Sequence, residues 1–401
     1  MRLSLPSPVL DALARLNARG HAAYAVGGCV RDLLRGMTPH DYDICVSCPP
    51  EETHACFAGE RVVDTGVQHG TVTVILAGMP LEITTFRTDG AYLDGRHPDS
   101  VRFTPDVRQD LARRDFTVNA MAYHPEEGVI DLFDGQKDLK NGILRCVGEA
   151  EKRLTEDALR ILRALRFAAQ LDFEIEENTA RAVHALAERL ALVSRERIAE
   201  ELRRMLISPG AARVSAAFPD VLAAALPQAP AEALQAGIAL LPALPGGDEV
   251  LGLAALICHC SAEVRAAVLR SLKLPRALET QAAQLAALAD APFSVPDTGL
   301  YLARMGEDQL RRLLALQQAA GVLSRAEAQQ RSCRAADVLA ASLPLKANAL
   351  PVHGEDMKAL GLSGPAIGKM LNALHEKVLR GEIACERDAL MEEARKLGVE
   401  S

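Results

Sequence analysis

Two textures of apolar and polar positions divide the chain. Up to about residue 150, short apolar runs are broken by turn-forming clusters, the pattern of mixed strands and helices. Ala22–Val26 is an apolar run ending in Gly27-Gly28, followed by a helical stretch to Gly36 and an alternating segment around Asp41–Val46. Thr71–Ala77 and Leu81–Phe86 are β-branched runs separated by Gly78-Met79-Pro80, which predicts a hairpin. Beyond residue 150, Ala, Leu, Arg and Glu recur at three- and four-residue spacing, so this part is expected to be nearly all helix. Breaks fall at Ser208-Pro209-Gly210, Pro227–Gly247, Asp290–Gly299 and Leu343–Pro351, giving helical modules in series with no fixed-period repeat.

With 401 residues the chain exceeds the size at which one hydrophobic core stops growing. No apolar run reaches the ~18 residues a membrane span requires, and the first twenty residues lack a signal-peptide core, so a cytoplasmic protein without membrane contact is expected. The nine cysteines are irregularly spaced. Neither the lone Cys45-x-x-Cys48 pair nor Cys258-His259-Cys260 has the spacing of a structural zinc site, and both read as core residues. A net charge of −8 argues against unspecific coating of nucleic acid, which depends on clustered Lys and Arg. Contact with a polyanion must be regional. Residues 151–210 carry 11 residues of each sign, and 261–350 carry 11 basic against 8 acidic.

The candidate chemistry lies in the first part. Gly27-Gly28 precedes Val30-Arg31-Asp32 and, after a helix-length gap, Asp41-Tyr42-Asp43-Ile44. On a strand, positions i and i+2 share a face, so Asp41 and Asp43 present paired carboxylates while Tyr42 and Ile44 face the core. Paired carboxylates are hard oxygen ligands suited to Mg²⁺. A Gly-Gly turn opening a helix lets backbone N–H groups approach a triphosphate, with Gly28 at the turn and Arg31 one turn on adding charge. Glu82 in Leu81-Glu82-Ile83 is either a third carboxylate or a strand-edge charge. Arg113-Arg114, followed by Asp115-Phe116-Thr117-Val118-Asn119-Ala120, is either a solvated turn or a pair that neutralises phosphate, with Asn119 in reach of a ribose. His40-Asp41 imitates a metal-phosphohydrolase dyad, but no second His-Asp pair supports it.

Taken together, Gly-Gly-x-Val-Arg-Asp, Asp-Tyr-Asp-Ile, Arg-Arg-Asp-Phe-Thr-x-Asn-Ala and Glu156-Asp157-x-x-Arg160-x-x-Arg163 resemble the successive motifs of the class II tRNA nucleotidyltransferase and poly(A) polymerase family, in order and spacing over roughly residues 20 to 205. The resemblance implies an α+β fold: a nucleotidyltransferase head like that of DNA polymerase β, with a small mixed sheet, followed by an all-helical neck, body and tail. The expected boundaries are 1–145, 146–208, 209–345 and 346–401. Asp41 and Asp43 would hold Mg²⁺, and Gly28, Arg31 and Arg114 would contact the triphosphate.

Residues 155–167 read as one helix with Thr155 as N-cap. Leu159, Ile161, Leu162 and Leu165 gather on one side, while Asp157, Arg160, Arg163 and Arg166 form a charged stripe directed away from the core. By itself such a stripe is a salt-bridged solvent face. Within the resemblance it reads the base. Cytosine and adenine each present an amino donor beside an unprotonated ring nitrogen, so an Asp157 acceptor beside an Arg160 donor fits CTP and ATP and mismatches UTP and GTP. Arg163 and Arg166 would support nucleotide placement, and Glu196 and Arg197 would brace the helix. Asp131–Gly135 resembles a family hinge or is a simple Asp-Gly turn. The polar loop Asp89–Pro98 resembles the family's switching loop, and Gly361–Gly368 resembles a tRNA-binding tail. These imply addition of C, C and A to the tRNA 3′ end, with the helical parts gripping the acceptor and T arms and no protein partner expected. A poly(A) polymerase or A-only enzyme, and a non-catalytic RNA-binding module, are the alternatives.

Overall fold

The computed structural model describes residues 2–90 and 101–399. By contacts the chain forms two compact units, Met1–Pro227 and Gln228–Ser401.

The first unit is built on a seven-stranded mixed sheet. In chain order its parts are helix α1 (Ser7–Ala18), strand β1 (Ala23–Val26), α2 (Gly28–Leu34), β2 (Asp43–Val46), α3 (Pro50–Cys56), β3 (Arg61–Gly66), β4 (Thr71–Leu76) and β5 (Met79–Thr85). After the short ribbon of β6 (Arg87–Asp89) and β7 (Val101–Phe103) come α4 (Val107–Ala112), β8 (Met121–His124), β9 (Gly128–Asp131) and α5 (Gly135–Asn141). The sheet order is β3-β4-β5-β2-β1-β8-β9, and only β2 and β5 run parallel. The predicted hairpin forms, but its turn is Ala77-Gly78, both at positive φ, while Met79 and Pro80 belong to β5. Two positive φ values match the twist of the flanking strands.

Alternation along β2 sorts the sheet's faces. Ile44 and Val46, fully buried, join a core that includes Val9 and Leu13 of α1 and Val30 of α2. Cys45 faces the other way, with Tyr24, Val26, Phe86 and Leu111 of α4. Asp43 shares the face of Cys45 and lies at the strand's open end. β2 begins at Asp43, so Asp41 sits just before the strand rather than within it.

Helices α6 (Ala150–Glu156), α7 (Leu159–Leu171), α8 (Glu177–Ala185) and α9 (Arg195–Leu206) follow. The single helix expected over 155–167 is broken. Asp157 is extended (φ −134°, ψ 107°), and its Oδ1 accepts from the Leu159 N–H at 3.0 Å. A short carboxylate that competes for backbone N–H groups ends one helix and opens the next. Thr155 therefore lies inside α6, not at an N-terminus. The stripe does not face solvent either, since Arg160 and Arg166 are buried.

Among its described residues the second unit has helices and no strands. Its helix Glu249–Ile257 is buried at every position from Val250 to Ile257 and is capped by Asp248, whose carboxylate accepts from the Leu251 N–H at 3.0 Å. Helix Ala231–Ile238 packs so close that a Cβ on Gly237 would lie 2.3 Å from the Ala255 carbonyl oxygen. A terminal cluster gathers Leu350, Met357, Leu374, Val378 and Leu390. In the tail segment, Gly364 precedes Pro365 at the first turn of helix Pro365–Arg380.

Candidate active site

Strand register brings the acids and the glycine turn to one place. Val26, the last residue before Gly27, pairs with Asp43, and Asp43 pairs across the parallel ladder with Glu82. The Gly-Gly turn, Asp41, Asp43 and Glu82 thus share one end of the sheet. Burial, then the charge of Asp41, and further Glu82, raise the Asp43 carboxyl to about 6, although Arg114 opposes them. Asp43, with Asp41 and Glu82 beside it, forms a donor set of carboxylate oxygens suited to a divalent cation.

Arg114 is the bridge. Gly27 has φ +79°, and a Cβ there would meet Arg114 Nη1 at 2.9 Å. Only a residue without a side chain suits both conditions. Arg113 and Arg114 directly follow α4, and both pair with the buried Asp110, at 2.7 and 3.4 Å. Burial pushes that carboxyl up, but the two arginines more than offset it and hold Asp110 below the ordinary range.

Arg31 and Asn119 turn to each other rather than into open space. Arg31 is buried, its Nη1 donates to Asn119 Oδ1 at 2.7 Å, and Nε and Nη2 donate to Asp32. Gly28 lies beside the same guanidinium, with Arg31 Nη2 3.6 Å from the place of a Cβ.

A pocket of about 280 Å³ opens beside Arg114, lined by Arg113, Asp115, Asp157, Leu159, Arg160, Arg163 and Arg197. Asp157 keeps its place through the Leu159 N–H and through Arg197 Nη2, which donates to Oδ2 at 3.0 Å. Arg160 donates from Nη1 to Glu156 Oε2 and the Arg153 carbonyl, and from Nη2 to the Arg113 carbonyl. Those bonds use three of its five N–H donors. Arg163 makes a two-pronged contact with Asp115 Oδ2, at 2.8 and 2.6 Å. Burial would raise Asp115, yet Arg163 and Arg160 and the bond from the Phe116 N–H hold it at about 2. Arg166 lies apart from the pocket wall, its Nε donating to buried Glu201 at 2.5 Å.

Sequence reading assigned no role to Asp110, Asp115, Glu156 or Glu201. Asp110 and Glu156 had a local signal, standing three and four residues before their arginine partners. The partners of Asp115 and Glu201 lie 48 and 35 residues away along the chain, which no local spacing reveals. The Asp131–Gly135 segment is a turn in which the Asp131 carboxylate accepts from Gly135 and Gln136 N–H groups at 2.8 Å. Residues 91–98 of the polar loop lie outside the described residues. Cys45, Cys48, Cys258 and Cys260 are buried free thiols.

A glycine turn, converging carboxylates on a mixed sheet and an arginine-rich pocket on the following helices define a nucleotidyltransferase. Family models agree along the chain: the poly A polymerase head domain at residues 23–145, an RNA- and SrmB-binding site of polymerase A at 172–217, and tRNA nucleotidyltransferase domain 2 at 248–394. The chain belongs to the bacterial CCA-adding enzyme family. It is 37% identical over 393 residues to the CCA-adding enzyme of Lactobacillus delbrueckii subsp. bulgaricus, covering 96% of each chain. The Leuconostoc mesenteroides CCA-adding enzyme is 49% identical over 212 residues, 52% of each. Among solved structures, the Bacillus stearothermophilus CCA-adding enzyme in complex with CTP matches with TM-score 0.81 and 32% identity, covering 99% of this chain and 100% of that one. Membership implies use of a divalent metal. No described helix is long and apolar enough to cross a membrane.

Proposed function

We propose that the chain adds C, C and A in turn to the 3′ end of tRNA, using CTP and ATP without a nucleic-acid template and releasing pyrophosphate. The observation that carries this reading is the position of Arg114, which touches Gly27 at the acid-lined end of the sheet and also lines the pocket of Asp157 and Arg160. A nucleotide whose phosphates lie along Arg114 would have its α-phosphate toward Asp43 and its base toward Asp157.

Asp41 and Asp43 would hold Mg²⁺, with Glu82 adjacent; bound there, the metal would acidify the attacking 3′-hydroxyl and balance charge on the departing pyrophosphate. Gly28 and Arg114 would meet the triphosphate. Arg31, tied to Asn119 and Asp32, would stiffen the turn's helix. Asp157 would accept from the amino group of cytosine or adenine while Arg160 donates to the neighbouring ring nitrogen. UTP and GTP, of opposite polarity, would leave both side chains mismatched. Arg163 would support the nucleotide from the pocket wall and Arg166 would support the helix from behind.

In the division proposed for the whole chain, a head (1–145) and neck (146–208) perform the chemistry, and a body (209–345) and tail (346–401) hold the tRNA acceptor and T arms by shape and backbone contacts, as double-stranded RNA is usually held. Such binding weakens with salt despite the acidic total. The reaction belongs to the cytoplasm. The reading is tested by incubating tRNA that ends at the discriminator base with each nucleotide alone and then with CTP and ATP together. Two additions with CTP and a third once ATP is present support it. No extension with CTP would defeat it, leaving a poly(A) polymerase or A-only enzyme or a non-catalytic RNA-binding module.

A further inference from the structure

Phe167, on α7, stands where three guanidinium groups meet. Its ring is 7% exposed, and its centroid lies 3.9 Å from Arg166 Cζ, 5.2 Å from Arg163 Cζ and 5.5 Å from Arg31 Cζ. Phe116 closes the cluster edge-on at 5.8 Å and 76°. The carboxylate partners of the arginines are three separate groups: Asp32 for Arg31, Asp115 for Arg163 and Glu201 for Arg166. Each carboxylate fixes one fork. Together the three carboxylates match the three cations in number, and the ring is a group that all three guanidinium groups share.

An aromatic ring attracts each of them further without adding a charge or requiring a hydrogen bond, because its faces are electron-rich. An aliphatic side chain of similar size would fill the volume and lose that attraction. The cluster also spans the site. Arg31 belongs to the helix that follows the Gly-Gly turn, while Arg163 lines the nucleotide pocket. A polar route already joins them, since Arg31 donates to Asn119, Asn119 donates to Asp115 at 3.4 Å, and Asp115 accepts from Arg163. Phe167 supplies a second, aromatic route between the same two arginines.

We propose that Phe167 is a positioning residue for nucleotide addition, its ring faces setting Arg163 in the pocket wall and coupling it to Arg31 behind the phosphate-binding turn. This deepens the site reading above and rests on it. The test replaces Phe167 in the full-length enzyme with phenylalanines carrying one, two and then five ring fluorines. Fluorination hardly changes ring shape but weakens and finally inverts the charge on the faces. The expected result is a stepwise rise in KM for both CTP and ATP, reaching about tenfold with five fluorines, with a smaller change in kcat and a near-native melting temperature. A flat series overturns the proposal, because a purely packing role would tolerate every member of it. Arg163→Ala is measured in parallel. If it raises nucleotide KM while the fluorine series stays flat, only the role of Phe167 is lost. If it leaves KM unchanged, the pocket assignment itself fails, and the proposal with it.

Discussion

The guanidinium of Arg114 rests against the α-carbon of Gly27, leaving 2.9 Å between its Nη1 and any Cβ placed there. This contact joins the acid-lined end of the sheet to the arginine-lined pocket, and it makes Gly27 more restrictive than its neighbour. Gly27→Ala is expected to displace Arg114 and to meet backbone strain at φ +79°. Misplacement of this kind lowers kcat/KM on the order of 10²-fold. Gly28→Ala faces only ordinary contact with Arg31 and should be several times milder. Steady-state kinetics of the two variants on the same tRNA check the difference.

Asp43 gives the metal-free protein a distinct pH dependence. With its folded value near 6 and above the unfolded one, the group favours folding at low pH, and that contribution is lost as pH rises through about 6. Asp43→Asn removes the buried charge. The variant should lose activity yet be more stable than the native chain at pH 8 in chelator, by about 1–2 kcal/mol after allowing for partial exposure. Thermal unfolding from pH 4.5 to 8 checks this, and a destabilised variant at pH 8 would contradict the charge crowding.

Asp115 behaves in the opposite sense. Its folded value is near 2, so its contribution to stability is complete above the unfolded value near 4 and is lost as pH falls toward 2. Asp115→Asn removes the partner of Arg163, and because about a third of that arginine's side chain meets solvent the cost should fall below that of a fully buried pair, at about 2 kcal/mol. Urea unfolding at pH 7 measures the loss.

Glu156 holds Arg160 and Arg153 through one oxygen, at 2.7 and 2.6 Å. Glu156→Gln keeps the shape and removes the charge. Weakening charged hydrogen bonds of this kind should raise nucleotide KM about tenfold and erode discrimination against UTP, measured by competition between labelled nucleotides.

Much of the site was legible in the sequence because its parts are local. The spacing of Gly27-Gly28 and Asp41-x-Asp43 encodes a turn, a helix and a strand, and Tyr42 and Ile44 are buried as alternation requires. The break at Asp157 was hidden because apolar spacing from Leu159 onward continues the period of a single helix, and only the side-chain bond to Leu159 N–H interrupts it. The burial of Arg160 and Arg166 was hidden for a different reason. A charged stripe reads as a solvent face until its acceptors are located, and Glu201 and the Arg113 carbonyl arrive from distant parts of the chain. Arg31 likewise showed its charge but not its partner, Asn119, 88 positions away.

The most direct test of amino-acid side chains as the template is the double variant Asp157→Asn, Arg160→Gln, assayed with all four nucleotides on tRNA ending at the discriminator base. The native enzyme should prefer CTP over UTP by about 10³-fold or more, as sites built on hydrogen-bond polarity do. In the variant, where the amide at 157 can donate and that at 160 can accept, the preference should fall by at least about tenfold, with UTP and GTP incorporated. An unchanged preference for CTP and ATP would contradict the account.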